Sequence, residues 1–271
     1  DEALFLQGKS HIAGSGSFGF LISSFTAPYF FNYFDVETLI VLERLGWWGH
    51  ILVVFGFLNY LPYSKHFHIV MAFPNTYFSN LNNKGAFNNL STVKDEVLKM
   101  FDPSLDPYAT PAEGEESIPD RFGAKDVEDL TWKSLMDAYS CTECGRCTSA
   151  CPASQTGKLL SPRKIIMDTR DRLEEVGANK RINGPDFKDN KSLLGDYISE
   201  EEIWACTSCN ACVQECPVSI DPLSIIIDLR RYLVMEESKV PSELAGMFTN
   251  IENNGAPWQF AQADRNKWVD E

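Results

Sequence analysis

The chain has 271 residues, 44% of them apolar, and a net charge of −14, which is enough for one or two domains with packed cores. The acidic balance excludes nucleic acid as a natural partner, because phosphate binding requires a basic face. Most of the charge lies beyond residue 78 and reads first as a solvated surface, and second as a docking face for a basic partner.

Asp1 opens the sequence, and no charged-then-apolar signal precedes the first elements, so the expectation is a processed chain or a piece of a longer one. Residues 1–35 are rich in Gly, Ser and Phe, with the run Gly14-Ser15-Gly16-Ser17, and are expected to form an extracytoplasmic loop segment. Residues 38–61, TLIVLERLGWWGHILVVFGFLNYL, are long enough to cross a bilayer as one helix, which takes about 20 mainly apolar residues. Trp47 and Trp48 suit the interface, while Glu43 and Arg44 interrupt the first turns. Apolar character continues to Phe78, giving a membrane region over residues 36–78, with a buried core helix as the alternative.

Charge bias orients this segment. Between Pro62 and Lys94 there are lysines and no acids, whereas residues 1–37 hold four acids and Lys9 alone among Lys and Arg. Positive-inside bias therefore predicts a cytoplasmic-membrane protein with its C-terminal part in the cytoplasm. Residues 79–125 are Asn-rich and then rich in Pro and acids, and read as a linker. From Asp126 the pattern is helical, with Asp126 as cap and Val127, Leu130, Leu135 and Tyr139 facing a core.

All eight cysteines fall in two runs, CTECGRCTSACP from Cys141 and CTSCNACVQECP from Cys206. Tight clustering argues for metal ligation in a reducing compartment rather than disulfides. Both runs are C-x2-C-x2-C-x3-C-P, the bacterial ferredoxin pattern, in which the fourth cysteine serves the other cluster. The expected ligand sets for two [4Fe–4S] clusters are therefore Cys141, Cys144, Cys147 and Cys216, and Cys206, Cys209, Cys212 and Cys151. Structural zinc does not call for a third equally spaced cysteine followed by C-P. Covalent c-type haem needs a His after C-x-x-C, and none is present.

The runs form an internal repeat, each cysteine 65 residues from its counterpart. Each is followed by a helix with Pro at its first position, Pro162 or Pro222, capped by Ser161 or Asp221. Ile165, Ile166, Met167 and Leu173, and Ile226, Ile227, Leu229 and Leu233, supply apolar faces that cover the clusters. The long helix between the motifs predicts an α-helical ferredoxin-type dicluster domain over residues 126–238, in a mainly α protein. Residues 239–271 form a C-terminal extension whose Pro257, Trp258, Phe260 and Trp268 either pack or dock a partner.

His50 and His68 are 18 residues apart, five turns of a continuous helix and about 27 Å along it. On such a helix they share a face near the two membrane surfaces, as haem ligands or as interfacial histidines; Pro62 between them is a potential kink. His66 falls on the opposite face.

The stretch from His50 through LPYSKHFHIVMAFP resembles the last membrane helix of the nitrate reductase gamma-subunit family. That resemblance implies two b haems, with His50 and His68 each an axial ligand. Residues 126–237 are similar to the iron–sulfur part of heterodisulfide reductases and related Fe–S oxidoreductases. The combination resembles membrane Fe–S oxidoreductases that fuse a gamma-like haem segment to a dicluster domain. It implies an electron-transfer subunit of a membrane oxidoreductase, linking quinone and haem to a soluble redox partner, such as a Cys-rich heterodisulfide-reductase-like subunit.

Two features depart from these families. Each gamma-family haem takes its second His from an earlier membrane helix, absent from this sequence, and His11 lies in a Gly/Ser loop, so an N-terminal part is expected to be missing. There is also no Cys-Cys pair of the kind that builds a heterodisulfide site, so any substrate site is expected on another subunit. A haem-free iron–sulfur subunit of a cytoplasmic dehydrogenase, and a non-enzymatic protein with structural clusters, remain as alternatives.

Overall fold

The computed structural model describes residues 29–30, 33–83, 85–101 and 121–269. The expected loop segment over residues 1–35, including His11, lies almost wholly outside them. Among the described residues the regular structure is helical and contains no named strand, only an isolated bridge between Leu194 and Ile198. The chain divides into two compact units, Asp1–Phe67 and His68–Glu271.

In the first unit, helix α1 spans Val36–Tyr60. Asp35 caps it, accepting the Thr38 N–H at 3.4 Å and the Thr38 hydroxyl at 2.6 Å, which satisfies donors left open at a helix start. Apolar side chains lie all around α1. Leu45, Leu52, Val53, Phe55 and Leu58 are exposed and Leu39 alone is buried, the reverse of a helix in a water-soluble core. With its 3-10 extension it is the one helix among the described residues long and apolar enough to cross a membrane, by length and composition.

The continuous helix expected from His50 to His68 is not formed. A 3-10 turn at Leu61–Tyr63 follows α1, and Ser64 is extended, with φ −118° and ψ 164°. Pro62 has no N–H to continue the ladder. The Ser64 N–H and hydroxyl both turn back to the Leu61 carbonyl, at 3.1 and 2.9 Å. The chain becomes helical again only at α2, Phe67–Tyr77. Five whole turns of one helix therefore do not separate the two histidines, which lie on different helices.

In the second unit, α2 carries Asn75, which is fully buried. Its amide donates to Asp137 Oδ1 at 2.9 Å and to the Val218 carbonyl at 3.0 Å, and its oxygen accepts from Lys133 at 3.0 Å. α2 thus packs within the cysteine-bearing unit, although its sequence is continuous with the apolar region. The segment expected to be a featureless linker contains α3, Ser91–Phe101.

Asp126 caps a 3-10 turn, Val127–Asp129, rather than a long helix, in a reciprocal box with Asp129. The helix proper, α4, begins after Thr131 at Trp132 and ends at Ser140, against the first cysteine. Between the motifs, α7 spans Pro162–Asn183, capped by Ser161, and after the second motif α10 spans Pro222–Met235, capped by Asp221. α7 packs against both α4 and α10. Ile165 and Ile166 from α7 meet Ile225, Ile226, Leu229 and Leu233 from α10 in a core closed to solvent. Each such side chain contributes about 1.5–3 kcal/mol on burial. Met167 and Ile227 lie at the margin, half-buried.

One ion cluster ties the start of this unit to α7. Arg172, 3% exposed, reaches Asp126 Oδ2 at 2.6 Å, Asp189 Oδ2 at 2.6 Å and the Lys191 carbonyl at 2.8 Å. The guanidinium holds the Asp189 carboxyl well below the usual carboxylate range. A depressed folded value stabilises the fold above the unfolded value of about 4, and this contribution is lost as pH falls through the acid range. Arg172→Ala leaves two half-buried carboxylates without their cation. Denaturant unfolding at neutral pH is expected to show a loss of about 1.5–3 kcal/mol.

Candidate iron–sulfur site

Each cysteine run makes the same backbone turn. Glu143 and Ser208, third in their runs, have φ of 59° and 56°, and Gly145 and Asn210, fifth, have φ of 80° and 60°. Left-handed residues reverse the chain locally and turn N–H groups inward. The Glu143 N–H donates to Cys141 Sγ and the Ser208 N–H to Cys206 Sγ, both at 3.4 Å. A third such bond runs from the Ile220 N–H to Cys216 Sγ at 3.4 Å, after Ser219 at φ 57°. The short helices α5, Arg146–Ser149, and α9, Ala211–Gln214, follow the turns and carry Cys147 and Cys212. Another short helix, α6, Pro152–Gln155, begins just past Cys151, and α8, Glu200–Trp204, leads into the second run.

The two runs face one another. Cys141, Cys144, Cys147 and Cys216 line one cavity, together with Cys212, Ile166 and Ile220. Cys141 feels the charge of Cys147 and Cys216, and Cys147 that of Cys144 and Cys216. Cys206 feels Cys151 and Cys209, while Cys212 feels Cys206 and Cys147. The fourth cysteine of each run therefore lies within electrostatic reach of the first cysteine of the other. Among the described residues no three His, Cys, Asp or Glu side chains converge as ligands of one metal ion would; a cubane is ligated at separate iron corners.

Burial governs the thiols. It pushes Cys141, Cys147 and Cys206 up, and Cys212 up to about 12, with Cys206 and Asp221 adding to the last. Cys209, exposed, is instead held down by the Ala211 N–H. Buried thiols with N–H donors aimed at sulfur are costly as isolated anions and well suited to a cationic iron centre. The donor set fits [4Fe–4S] chemistry.

Two arginines brace the turns from the helices behind them. Arg170 on α7 pairs with Glu143 at 2.9 Å. Arg230 on α10 donates to Ser208 Oγ at 3.2 Å, to the Ile203 carbonyl at 2.6 Å and to the Cys206 carbonyl at 2.5 Å. Neither was singled out from the sequence. Their register, eight residues beyond Pro162 and Pro222 respectively, is the signal that could have found them. His50, by contrast, is exposed on α1, in the other unit, and His68 lies at the start of α2.

Comparison with known proteins bears on this centre. Residues 140–220 match the family model described as a 4Fe-4S dicluster domain. The matched segment covers both cysteine runs and lies wholly within the second unit. Over 262 residues the chain is 36% identical to "Probable iron-sulfur-binding oxidoreductase FadF" of Bacillus subtilis, with 85% of this chain and 34% of the relative covered. It is 30% identical over 285 residues to "EtfAB:quinone oxidoreductase" of Syntrophomonas wolfei, with 98% and 36% covered. It is 31% identical over 162 residues to "Probable membrane-anchored ferredoxin" of Chromohalobacter salexigens, with 55% and 24% covered. Heterodisulfide reductase subunits are also among the relatives. The chain spans about a third of the length of the first two relatives. These relatives are named as oxidoreductases or subunits of them, or as a ferredoxin.

Cluster loading must displace protons from the dicluster thiols, and raised thiols hold their protons more tightly. Reconstitution of cluster-free protein is therefore expected to yield less bound iron per chain as pH falls from about 9 to about 6, read by iron and sulfide assay.

Proposed function

We propose that this chain is the electron-relaying part of a membrane oxidoreductase. It passes electrons through two [4Fe–4S] clusters between a quinone-linked membrane side and a soluble redox partner. The observation that carries this reading is the crossed placement of Cys216 with Cys141, Cys144 and Cys147, and of Cys151 within electrostatic reach of Cys206. We assign the first four sulfurs to one cluster, and Cys206, Cys209, Cys212 and Cys151 to the other. Crossed ligation brings two centres close, which suits transfer between them. The clusters carry the electrons, and the chain sets their potential through burial and N–H donors to sulfur.

The membrane side of the proposal rests on α1, with its exposed apolar surface, and on relatives called a quinone oxidoreductase and a membrane-anchored ferredoxin. We place the dicluster segment in the cytoplasm, on the positive-inside bias of the stretch from Pro62 to Lys94, which has lysines and no acids. The substrate site is assigned to a partner subunit, since all eight cysteines serve the clusters. His50 and His68 remain our candidates for axial ligands of two b haems, on the gamma-family resemblance alone now that the helix between them is interrupted. A b haem, when bound, supplies a one-electron centre between quinone and cluster. The second ligand of each would come from histidines outside the described residues.

The test is the optical spectrum of full-length protein extracted anaerobically from membranes, before and after reduction. Broad cluster absorption that bleaches on reduction, together with reduced b-type bands, is expected. Bleaching without haem bands overturns the assignment of His50 and His68. Cluster absorption that never bleaches overturns electron transfer itself.

A further inference from the structure

The repeat that builds the two cysteine turns extends to the helices behind them, where it is broken in charge. Arg170 and Arg230 occupy the same register, eight residues after the N1 prolines of α7 and α10. Each reaches the third residue of the preceding cysteine run, and that residue donates its N–H to the first cysteine of the same run at 3.4 Å. In the first run the third residue is Glu143, an anion, paired with Arg170 at 2.9 Å. Asp171 lies 3.4 Å from the same arginine. In the second run it is Ser208, which is neutral.

Arg230 meets no carboxylate within ion-pair distance among the described residues. Its donors go to carbonyl oxygens of Ile203 and Cys206 and to Ser208 Oγ, and its guanidinium lies 5.1 Å from the Trp204 ring. Burial pushes it below the usual arginine range, but a guanidinium remains charged under all working conditions.

We propose that Arg170 and Arg230 are matched potential-setting residues, one for each cluster, and that Arg230 acts at full charge while Glu143 neutralises Arg170. This rests on the two-cluster reading given above. Reduction adds one electron and no proton to a centre that its four thiolates already make anionic. A half-buried cation beside the first cysteine stabilises the reduced form more than the oxidised form and raises the potential. A paired cation adds little, because its field is cancelled a few ångströms away. Arg146 and Arg163 also border the first cavity, but both are exposed and screened. Asp221, beside Cys212, opposes Arg230, so the arginines fix what each side chain adds and not the order of the two potentials.

The experiment is a potentiometric titration of full-length holoprotein followed by EPR, the second-run cluster being the one whose signal Cys209→Ala abolishes. Arg230→Gln is expected to lower that cluster's reduction equilibrium at least tenfold, about 59 mV for a one-electron couple. Arg230→Lys, which keeps the charge and loses the fork, is expected to recover most of the shift. Glu143→Gln, which keeps the N–H to Cys141, is expected to raise the potential of the first-run cluster and leave the other in place. If Arg230→Gln fails to hold its cluster, Glu143→Gln decides: a rise supports the proposal and an unchanged potential overturns it. Arg230→Gln with both clusters intact and unshifted also overturns it. A wild-type protein without two reducible signals defeats the two-cluster reading instead, before either arginine is tested.

Discussion

Everything at the cysteine-bearing end depends on a backbone that reverses twice within four residues. Glu143 and Gly145, and Ser208 and Asn210, hold positive φ, and only then do the N–H groups of residues 143 and 208 point at sulfur. Glycine adopts that conformation freely and asparagine with little penalty, whereas Glu143 and Ser208 are held there at a cost of order 1–3 kcal/mol each. The surroundings must over-determine these two residues. Arg170 grips the side chain of one and Arg230 that of the other, which is why the bracing arginines matter to the turns as well as to the charge around them.

The arginines are in turn aimed by α7 and α10. Pro162 and Pro222 set the first helical residue, Ser161 and Asp221 satisfy open N–H groups, and the facing Ile and Leu side chains fix the contact between helices. The N-terminus of α7 is also tied to the first run. Thr148, one residue after Cys147, shares a hydrogen bond with Ser161 at 2.9 Å and accepts the Arg163 N–H at 3.3 Å. A shift of α7 would therefore be felt at Cys147. Arg172 prevents such a shift by pinning the helix to Asp126 and Asp189, and Asn75 does the same for α2 at Asp137 and Val218.

Much of this was legible in the sequence because it is written in short-range chemistry. Cysteine spacing, prolines at helix starts and capping residues act within a few positions, and Cys141–Pro152, Ser161 and Asp221 fold as their local patterns predict. What escaped depends on distant partners. Arg170 reads as one more surface charge until Glu143 is seen beside it, and Asn75 sits in an apolar run yet closes a polar network 62 residues away in the chain at Asp137. The break after α1, by contrast, is local and falls at Pro62, already a potential kink in the sequence, where Ser64 bonds back to Leu61. Asp126 shows a subtler failure: its capping chemistry was correct, but it serves a 3-10 turn, with Thr131 opening the true helix.

The measurement that tests the central arrangement most directly is EPR of the reduced holoprotein in three cysteine variants, with iron counted per chain. Wild-type protein should bind about eight iron atoms, four per cluster, and Cys216→Ala should alter the same signal as Cys144→Ala while the signal lost in Cys209→Ala survives. Cys216→Ala behaving like Cys209→Ala, or a wild-type chain saturating at about four irons, would contradict crossed ligation of two clusters.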